Sequence, residues 1–264
     1  MTIAAGFTCL GGIILCVDSE LTYSDCLRLG RSKFGIFDGL YSTVVMTGAG
    51  DWEYMQMAFD KIVGGLRRLE TVEGQAMSAT NVQHIVEDIV LEIYERHIPF
   101  FPREPKPGFD LLIGAWTRDG MPDGRLSLIK TSDTAVSRPQ AFECVGTGGA
   151  LGNYLADSLH GGVQTLSLRE GVFLAIYILR LAKKYAPGVG GRSSIVKLTG
   201  DGDIEPVWGV EDIEAAFEMV EPLVRPLLFA AVDKSMSDED FSKRLKTVTE
   251  ALENLRSGFP RPQF

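Results

Sequence analysis

The order of strand-like and helix-like segments limits the fold of this chain more than any other feature of its sequence. Short apolar runs between Gly, Asp-Gly and polar residues predict strands, and longer stretches with apolar residues at i, i+3 and i+4 predict helices. Strands come first, followed by two helices, more strands, two further helices and a last strand. Because strands are grouped apart from helices, we predict an α+β fold with two sheets and helices outside, rather than a parallel sheet of βαβ units.

The predicted strands are short and end at turn residues. Gly11-Gly12 predicts a tight turn between the first two strands, and Asp38-Gly39 is a strong turn signal. A polar loop is predicted between Asp18 and Lys33. The predicted strands cover residues 3–9, 13–17, 33–37, 41–47, 110–116, 125–131, 142–145 and 194–198. Four helices are predicted: two begin near residues 51 and 78, and two more cover residues 150–159 and 168–185.

Residues 210–264 differ in pattern from residues 1–209 and are predicted to form a separate helical extension. Their first helical stretch, 212–232, contains Pro222 and Pro226, which predicts a break or a kink. Ser237 followed by Asp240 matches a capping box with Asp in place of Glu. The apolar stripe after it is expected to pack on the first domain or on a neighbouring subunit.

Composition and charge exclude several classes of function. The formal net charge of −9 at pH 7 argues against a sequence-independent nucleic-acid surface, which needs clustered Lys and Arg. No apolar run reaches the roughly 18 residues of a membrane span, and the residues before Asp18 lack the features of a signal peptide. The four cysteines, Cys9, Cys16, Cys26 and Cys144, lack metal-ligand spacing. Cys9 and Cys16 flank a predicted hairpin turn, and we expect them to be buried thiols rather than a disulfide, in a reduced, cytoplasmic setting.

Several other kinds of site find little support in the sequence. The three histidines, His84, His97 and His160, lie in helical patterns far from any serine elbow, which argues against a Ser-His-Asp triad. No cluster of His, Cys and Asp has the spacing of a metal site, so we expect neither a metal nor a cofactor. The glycine-rich segment 146–149 lacks the Gly-Lys-Ser/Thr of a phosphate-binding loop.

Thr2 acquires a chemical role only if Met1 is removed. The residue would then carry a hydroxyl and a free α-amine, whose pKa of roughly 7.7–8.0 lets it accept the hydroxyl proton. This is the threonine and N-terminal amine route to covalent catalysis. Aminopeptidases remove Met before small residues such as Thr, which favours this state. A solvated chain end without chemistry is the plain alternative.

Four further features follow Thr2 at characteristic spacings. They are the strand end Val17-Asp18-Ser19, Thr22 beyond it, Lys33 at the next strand, and Thr47-Gly48-Ala49-Gly50-Asp51 before a helix. With Thr2 and the order of elements, they resemble the 20S proteasome β-subunit and its bacterial relatives, which are N-terminal nucleophile hydrolases. The resemblance covers residues 2 to about 207. It implies a four-layer αββα sandwich, to which residues 210–264 add extra C-terminal helices.

The resemblance also implies roles for individual residues. Thr2 would be the nucleophile, and Lys33 would lower the pKa of its α-amine. Asp18 would pair with Lys33, because a buried ammonium without a partner is costly. Gly48 would donate its backbone N–H to the oxyanion. A surface Asp, a surface Lys and a turn glycine are the structural alternatives for these three residues.

Substrate contacts are implied in the same way. Thr22, Gly48 and Gly50 would line a groove for an extended peptide, and Thr147 would place a hydroxyl near the nucleophile. Leu21 and Met46 would shape the specificity pocket, although both would also suit a hydrophobic core.

The sequence departs from the family pattern in two places. The family's acid and second serine would fall at Ala186 and Val189, whose side chains cannot relay a proton. The segment between Asp18 and Lys33 is one residue shorter than in the family, which puts the reach of Lys33 in question.

Two hypotheses of function follow from these observations. The first is a threonine-type peptidase or amidohydrolase that acts on a peptide or protein and passes the acyl group to water or to another amine. The second is a non-catalytic, proteasome-like scaffold that retains Met1. Both hypotheses include a homo-oligomeric ring, and a regulator or unfoldase is a candidate partner.

Overall fold

A computed structural model of the chain describes residues 2–23, 27–30, 33–72, 77–102, 104–119, 124–160, 165–231 and 236–258. Met1 and Cys26 lie outside the described residues. The chain divides into two compact units, Met1–Val207 and Trp208–Phe264, and the predicted domain boundary lies two residues later, between residues 209 and 210. The fold is mixed α+β, with two five-stranded antiparallel sheets, one two-stranded hairpin and six helices in the described part of the chain.

The elements follow one another in the predicted grouping. The strands are β1 (Ile3–Cys9), β2 (Gly12–Asp18), β3 (Glu20–Tyr23), β4 (Leu27–Gly30), β5 (Gly35–Asp38), β6 (Ser42–Gly50), β7 (Phe109–Thr117), β8 (Arg125–Ser132), β9 (Ala135–Ser137), β10 (Phe142–Gly146), β11 (Ser193–Thr199) and β12 (Ile204–Pro206). The helices are α1 (Trp52–Val72), α2 (Ala79–Arg96), α3 (Gly149–His160), α4 (Leu168–Tyr185), α5 (Val210–Ala230) and α6 (Asp238–Gly258), and a short 3₁₀ turn covers Ile98–Phe100.

The first unit contains two five-stranded sheets. The first sheet has the order β10-β1-β2-β11-β12, the second has the order β5-β6-β7-β8-β9, and β3 pairs with β4 alone. Apolar side chains of both sheets share one core, which includes Leu15 of β2 and Val45 of β6. Helices α1 and α2 pack on the second sheet, and α3 and α4 contact the first.

The residues of β2 explain why this strand lies at the centre of the first sheet. All seven of its residues are buried, as an apolar run without alternation predicts for a strand covered on both faces. One face meets the second sheet, and the other meets α4 at Gly171. A Cβ at Gly171 would lie 2.5 Å from Cys9 Sγ, so glycine permits this close approach. The rigid strand then carries Asp18 at its last position.

Three details of the fold differ from the sequence-based prediction. The predicted polar loop between Asp18 and Lys33 contains the hairpin of β3 and β4, and the short strands β9 and β12 were not expected. Of the break or kink predicted in α5, the break is absent, since the helix runs continuously through Pro222 and Pro226. Because both prolines are exposed, water can satisfy the carbonyls that lose their intrahelical donors.

The second unit consists of α5 and α6, which pack on each other. The predicted cap of α6 is present, since Ser237 Oγ accepts a hydrogen bond from the Asp240 N–H at 3.2 Å. Val248 and Leu255 of the predicted apolar stripe are buried, whereas Leu245 and Leu252 are about half exposed.

The described cysteines are free, buried thiols, as expected for Cys9 and Cys16. Burial raises the pKa of Cys9 and of Cys16 to about 12, and it raises the pKa of Cys144 well above its usual range. Thiols react as thiolates, so these residues should be inert in the folded chain.

We therefore predict that a Cys26→Ser variant shows no reaction with a disulfide reagent at pH 8 within minutes. All three remaining thiols should react in guanidinium chloride. Rapid modification of Cys16 in the folded variant, located by peptide mass mapping, would contradict the packing of β2.

Candidate active site

Thr2, Asp18 and Lys33 come together at one end of the two facing sheets. Thr2 precedes β1, Asp18 ends β2 and Lys33 lies two residues before β5. Their exposed fractions are 5%, 0% and 1%. Lys33 Nζ donates hydrogen bonds to Thr2 Oγ1, to Asp18 Oδ1 at 3.1 Å and to the carbonyl oxygen of Glu20 at 2.6 Å. Lys33 therefore reaches Thr2 across the short segment that follows Asp18.

Besides Lys33, three further donors hold the carboxylate of Asp18. Its Oδ1 accepts from Thr2 Oγ1 and from the Ile3 N–H at 3.2 Å, and its Oδ2 accepts from the Gly190 N–H at 3.1 Å. A carboxylate with this many donors cannot rotate without losing hydrogen bonds. Asp18 thus fixes the position of the Lys33 ammonium beside the Thr2 hydroxyl.

Burial lowers the pKa of Lys33 and raises the pKa of Asp18, because removal from water disfavours the charged form of each. Removal from water lowers the pKa of Lys33, although the charge of Asp18 opposes the shift. The same removal from water raises the pKa of Asp18, against the charge of Lys33 and the Gly190 N–H. Each charge therefore depends on the other for its stability in this site.

A cavity of about 830 Å³ opens onto this cluster. Thr2 and Lys33 lie in its wall, together with the end of β6 and the turn at Gly146 and Thr147. Another part of the wall comes from the segment before β7, including Phe101 and Lys106. The hydroxyl of Thr2 is thus close to a space that can hold a ligand.

Gly48 presents its backbone N–H away from β7. Its register partner in β7 is Leu111, which donates its N–H to Thr131 Oγ1 instead. Opposed residues in an antiparallel pair exchange both hydrogen bonds or neither, so the Gly48 N–H points to the other side of β6. There the pairing with β5 ends at Gly35 and Met46. This N–H therefore lies at the cavity, whose wall includes Gly48.

The predicted substrate residues are only partly brought together. Gly50 and Thr147 line the cavity with Gly48. Met46 is fully buried in the core beneath α1 and does not line the cavity. Leu21 and Thr22 belong to β3 by their backbone, and their side chains lie outside the described residues.

Three contributors to the site were not found by sequence reasoning. They are the carbonyl oxygen of Glu20, the N–H of Gly190 and the cavity wall at Phe101 and residues 105–110. Prolines mark that wall as a long loop between α2 and β7, and such loops often carry function, which is the one signal available. Ala186 caps the C-terminal end of α4, and the Val189 side chain is buried. The turn that contains them leads to Gly190, and its contribution to the site is the Gly190 backbone N–H that donates to Asp18.

The chain matches no protein-family model and no curated protein sequence. Within the described ranges, no three His, Cys, Asp or Glu side chains cluster so that they could hold a metal ion. None of the helices in the described part of the chain combines the length and apolar content that a membrane span requires.

The buried ion pair leads to a prediction about stability. Asp18→Ala leaves the Lys33 ammonium buried without its counter-ion and should lower the free energy of unfolding by about 3–5 kcal/mol. Adding Lys33→Met should recover part of this loss, because an apolar side chain then replaces the uncompensated charge. Urea unfolding of the single and double variants measures both effects.

Lys61→Ala is the matched control, since Lys61 and Glu92 form a partly exposed ion pair at 3.3 Å. Its loss should change the free energy of unfolding by less than about 1 kcal/mol. If Asp18→Ala has an effect as small as this control, the Lys33 ammonium is not buried beside Asp18.

Proposed function

We propose that the protein is a threonine-type peptidase or amidohydrolase of the N-terminal nucleophile class, formed when Met1 is removed. One observation carries the proposal: the buried ammonium of Lys33 donates a hydrogen bond to Thr2 Oγ1 while Asp18 holds it in place. A structural ion pair needs no hydroxyl at its centre. A nucleophile beside a fixed cation, at the wall of a cavity, suits acyl transfer.

The packing of the first unit supports the same class. Helices α1 and α2 on one sheet, and α3 and α4 on the other, suit a four-layer αββα sandwich, to which α5 and α6 would be an addition. A homo-oligomeric ring, with or without a regulator or unfoldase, belongs to this proposal and is an expectation from the resemblance alone.

The proposed reaction begins with proton transfer from Thr2 Oγ1 to the α-amine of the same residue. The oxygen attacks the carbonyl carbon of the substrate amide, and the carbonyl oxygen becomes an oxyanion. The C–N bond then breaks as the amine of Thr2 passes its proton to the leaving nitrogen, which leaves an ester on Thr2. Water adds to the ester with the α-amine as base, the ester bond breaks, and Oγ1 regains its proton.

Each remaining residue has one task in this scheme. The charge of Lys33 lowers the pKa of the nearby α-amine, so that more of it is neutral and able to accept a proton. Asp18 orients both Lys33 and the hydroxyl. The Gly48 N–H is suited to the oxyanion, and such a donor typically lowers the barrier by about 2.7–4 kcal/mol. The unpaired stretch of β6 could bind an extended peptide by strand pairing.

Labelling with a β-lactone or an epoxyketone tests the proposal. Protein whose intact mass shows loss of Met1 should gain one adduct, which peptide mapping places on Thr2. Thr2→Ala should abolish the adduct, and Lys33→Ala should slow its formation by about 100-fold or more. Lys61→Ala should react at the wild-type rate.

Folded protein that lacks Met1 and forms no adduct would contradict the proposal. Retention of Met1 in the native source, together with an unmodified Thr2, would instead favour the non-catalytic scaffold. Circular dichroism of each variant separates loss of the site from loss of the fold.

The pH dependence of labelling should show the lowered pKa of Lys33. The reaction should rise as the α-amine loses its proton, with a midpoint near or below roughly 7.7–8.0. It should fall again at a midpoint below 10.5, the ordinary lysine value, because burial lowers the pKa of Lys33 and its charge is then lost. A rate that stays constant up to pH 10.5 would show that the Lys33 charge is not required.

A further inference from the structure

The side chain of Asn153 in α3 occupies the free edge of the first sheet. Strand β10 is the outermost strand, with β1 as its neighbour on one side. Asn153 Oδ1 accepts a hydrogen bond from the Cys144 N–H at 2.8 Å, and Nδ2 donates to the Cys144 carbonyl at 3.1 Å. The N–H and C=O of one residue point to the same side of a strand. The Asn153 amide therefore takes the place of a neighbouring strand.

The amide is locked in this orientation by a further contact. Asn153 Nδ2 also donates to Glu143 Oε1 at 3.0 Å, and that oxygen pairs with Lys130 Nζ at 3.1 Å. Helix α3 approaches closely because residue 152 is glycine. A Cβ there would lie 2.9 Å from Cys144 Sγ. The short asparagine side chain can then reach the strand backbone.

These contacts bridge the turn Gly146–Gly149, which connects β10 to α3, because they tie Cys144 before the turn to Asn153 after it. The turn lies against the backbone of Thr2: the Gly148 N–H faces the Thr2 carbonyl oxygen at 3.5 Å. Gly146 has a φ of +89°, and a Cβ there would lie 2.4 Å from the same oxygen. Thr147, between these glycines, lines the cavity.

We propose that Asn153 is a positioning residue of the Thr2 centre, and this inference rests on the proposed acyl transfer. Asn153 does not line the cavity, so it acts only through the turn Gly146–Gly149. By joining Cys144 to α3 it keeps this turn pressed against Thr2 and holds Thr147 at the cavity wall. Displacement of a reacting group by about 1 Å can slow catalysis by about 100-fold.

The test compares Asn153→Ala with Asn81→Ala in β-lactone labelling of protein lacking Met1. Asn81 is the matched control, because its side chain forms the capping box of α2 with Ser78 and lies away from the cavity. Asn153→Ala should lower the limiting labelling rate about 10- to 100-fold, with reagent affinity within about twofold of wild type. Asn81→Ala should lower stability and leave the labelling rate unchanged.

Asn153→Asp provides a second variant of the same shape, in case the alanine variant does not fold. It keeps an acceptor for the Cys144 N–H and loses both hydrogen bonds that Nδ2 donates. Its limiting rate should also fall. A wild-type rate in either folded Asn153 variant, or an equal loss in Asn81→Ala, would overturn the inference.

Hydrogen exchange distinguishes this inference from the proposed function. The amides of residues 144–149 should exchange faster in the Asn153 variants than in wild type and in Asn81→Ala, whether or not Thr2 reacts. If they do so while wild-type Thr2 takes no label, the proposed function fails and Asn153 is a structural residue only. Unchanged exchange in these amides would show that Asn153 does not hold the turn.

Discussion

The burial of the Lys33 ammonium is the interaction on which the site depends. An ammonium without water needs acceptors at fixed positions, and Lys33 finds them in Thr2, Asp18 and the Glu20 carbonyl. These acceptors come from the residue before β1, the end of β2 and the start of β3. The Thr2 hydroxyl is thus held in place because it is one of the acceptors that the buried Lys33 ammonium requires.

The rest of the site is built where strands stop pairing. The pairing of β5 with β6 ends at Met46, which leaves the Gly48 N–H without a strand beside it. Strand β10 ends at Gly146, and the turn after it lies on the Thr2 backbone. Asn153 covers the edge of that strand so that the turn keeps its place. Sheet edges, which proteins usually cover or charge, here supply the polar groups of a cavity.

The resemblance to N-terminal nucleophile hydrolases implied the meeting of Thr2, Asp18 and Lys33. Sequence patterns by themselves predicted the element order, because periodicity and residue type carry that information. They could not predict the Gly190 N–H on Asp18, which comes from a residue 172 positions away. Every residue type carries a backbone N–H or carbonyl, so the residue type does not show which of these groups enters a site. The Glu20 carbonyl, which accepts from Lys33, could not be predicted for the same reason.

Other misses have different causes. The β3 and β4 hairpin is polar enough to resemble a loop, and its pairing is visible only in the backbone. The sequence left Met46 open between a specificity pocket and the core, and its neighbours in three dimensions place it in the core. Helix α5 tolerates two prolines because both face solvent, a property that a propensity rule does not contain.

A crystal structure of the protein without Met1, after reaction with a β-lactone, tests the central claim most directly. The account predicts an ester on Thr2 Oγ1, the Lys33 ammonium within hydrogen-bonding distance of Thr2 and Asp18, and the acyl oxygen facing the Gly48 N–H. An unmodified Thr2, with the Lys33 side chain turned into bulk solvent, would contradict it.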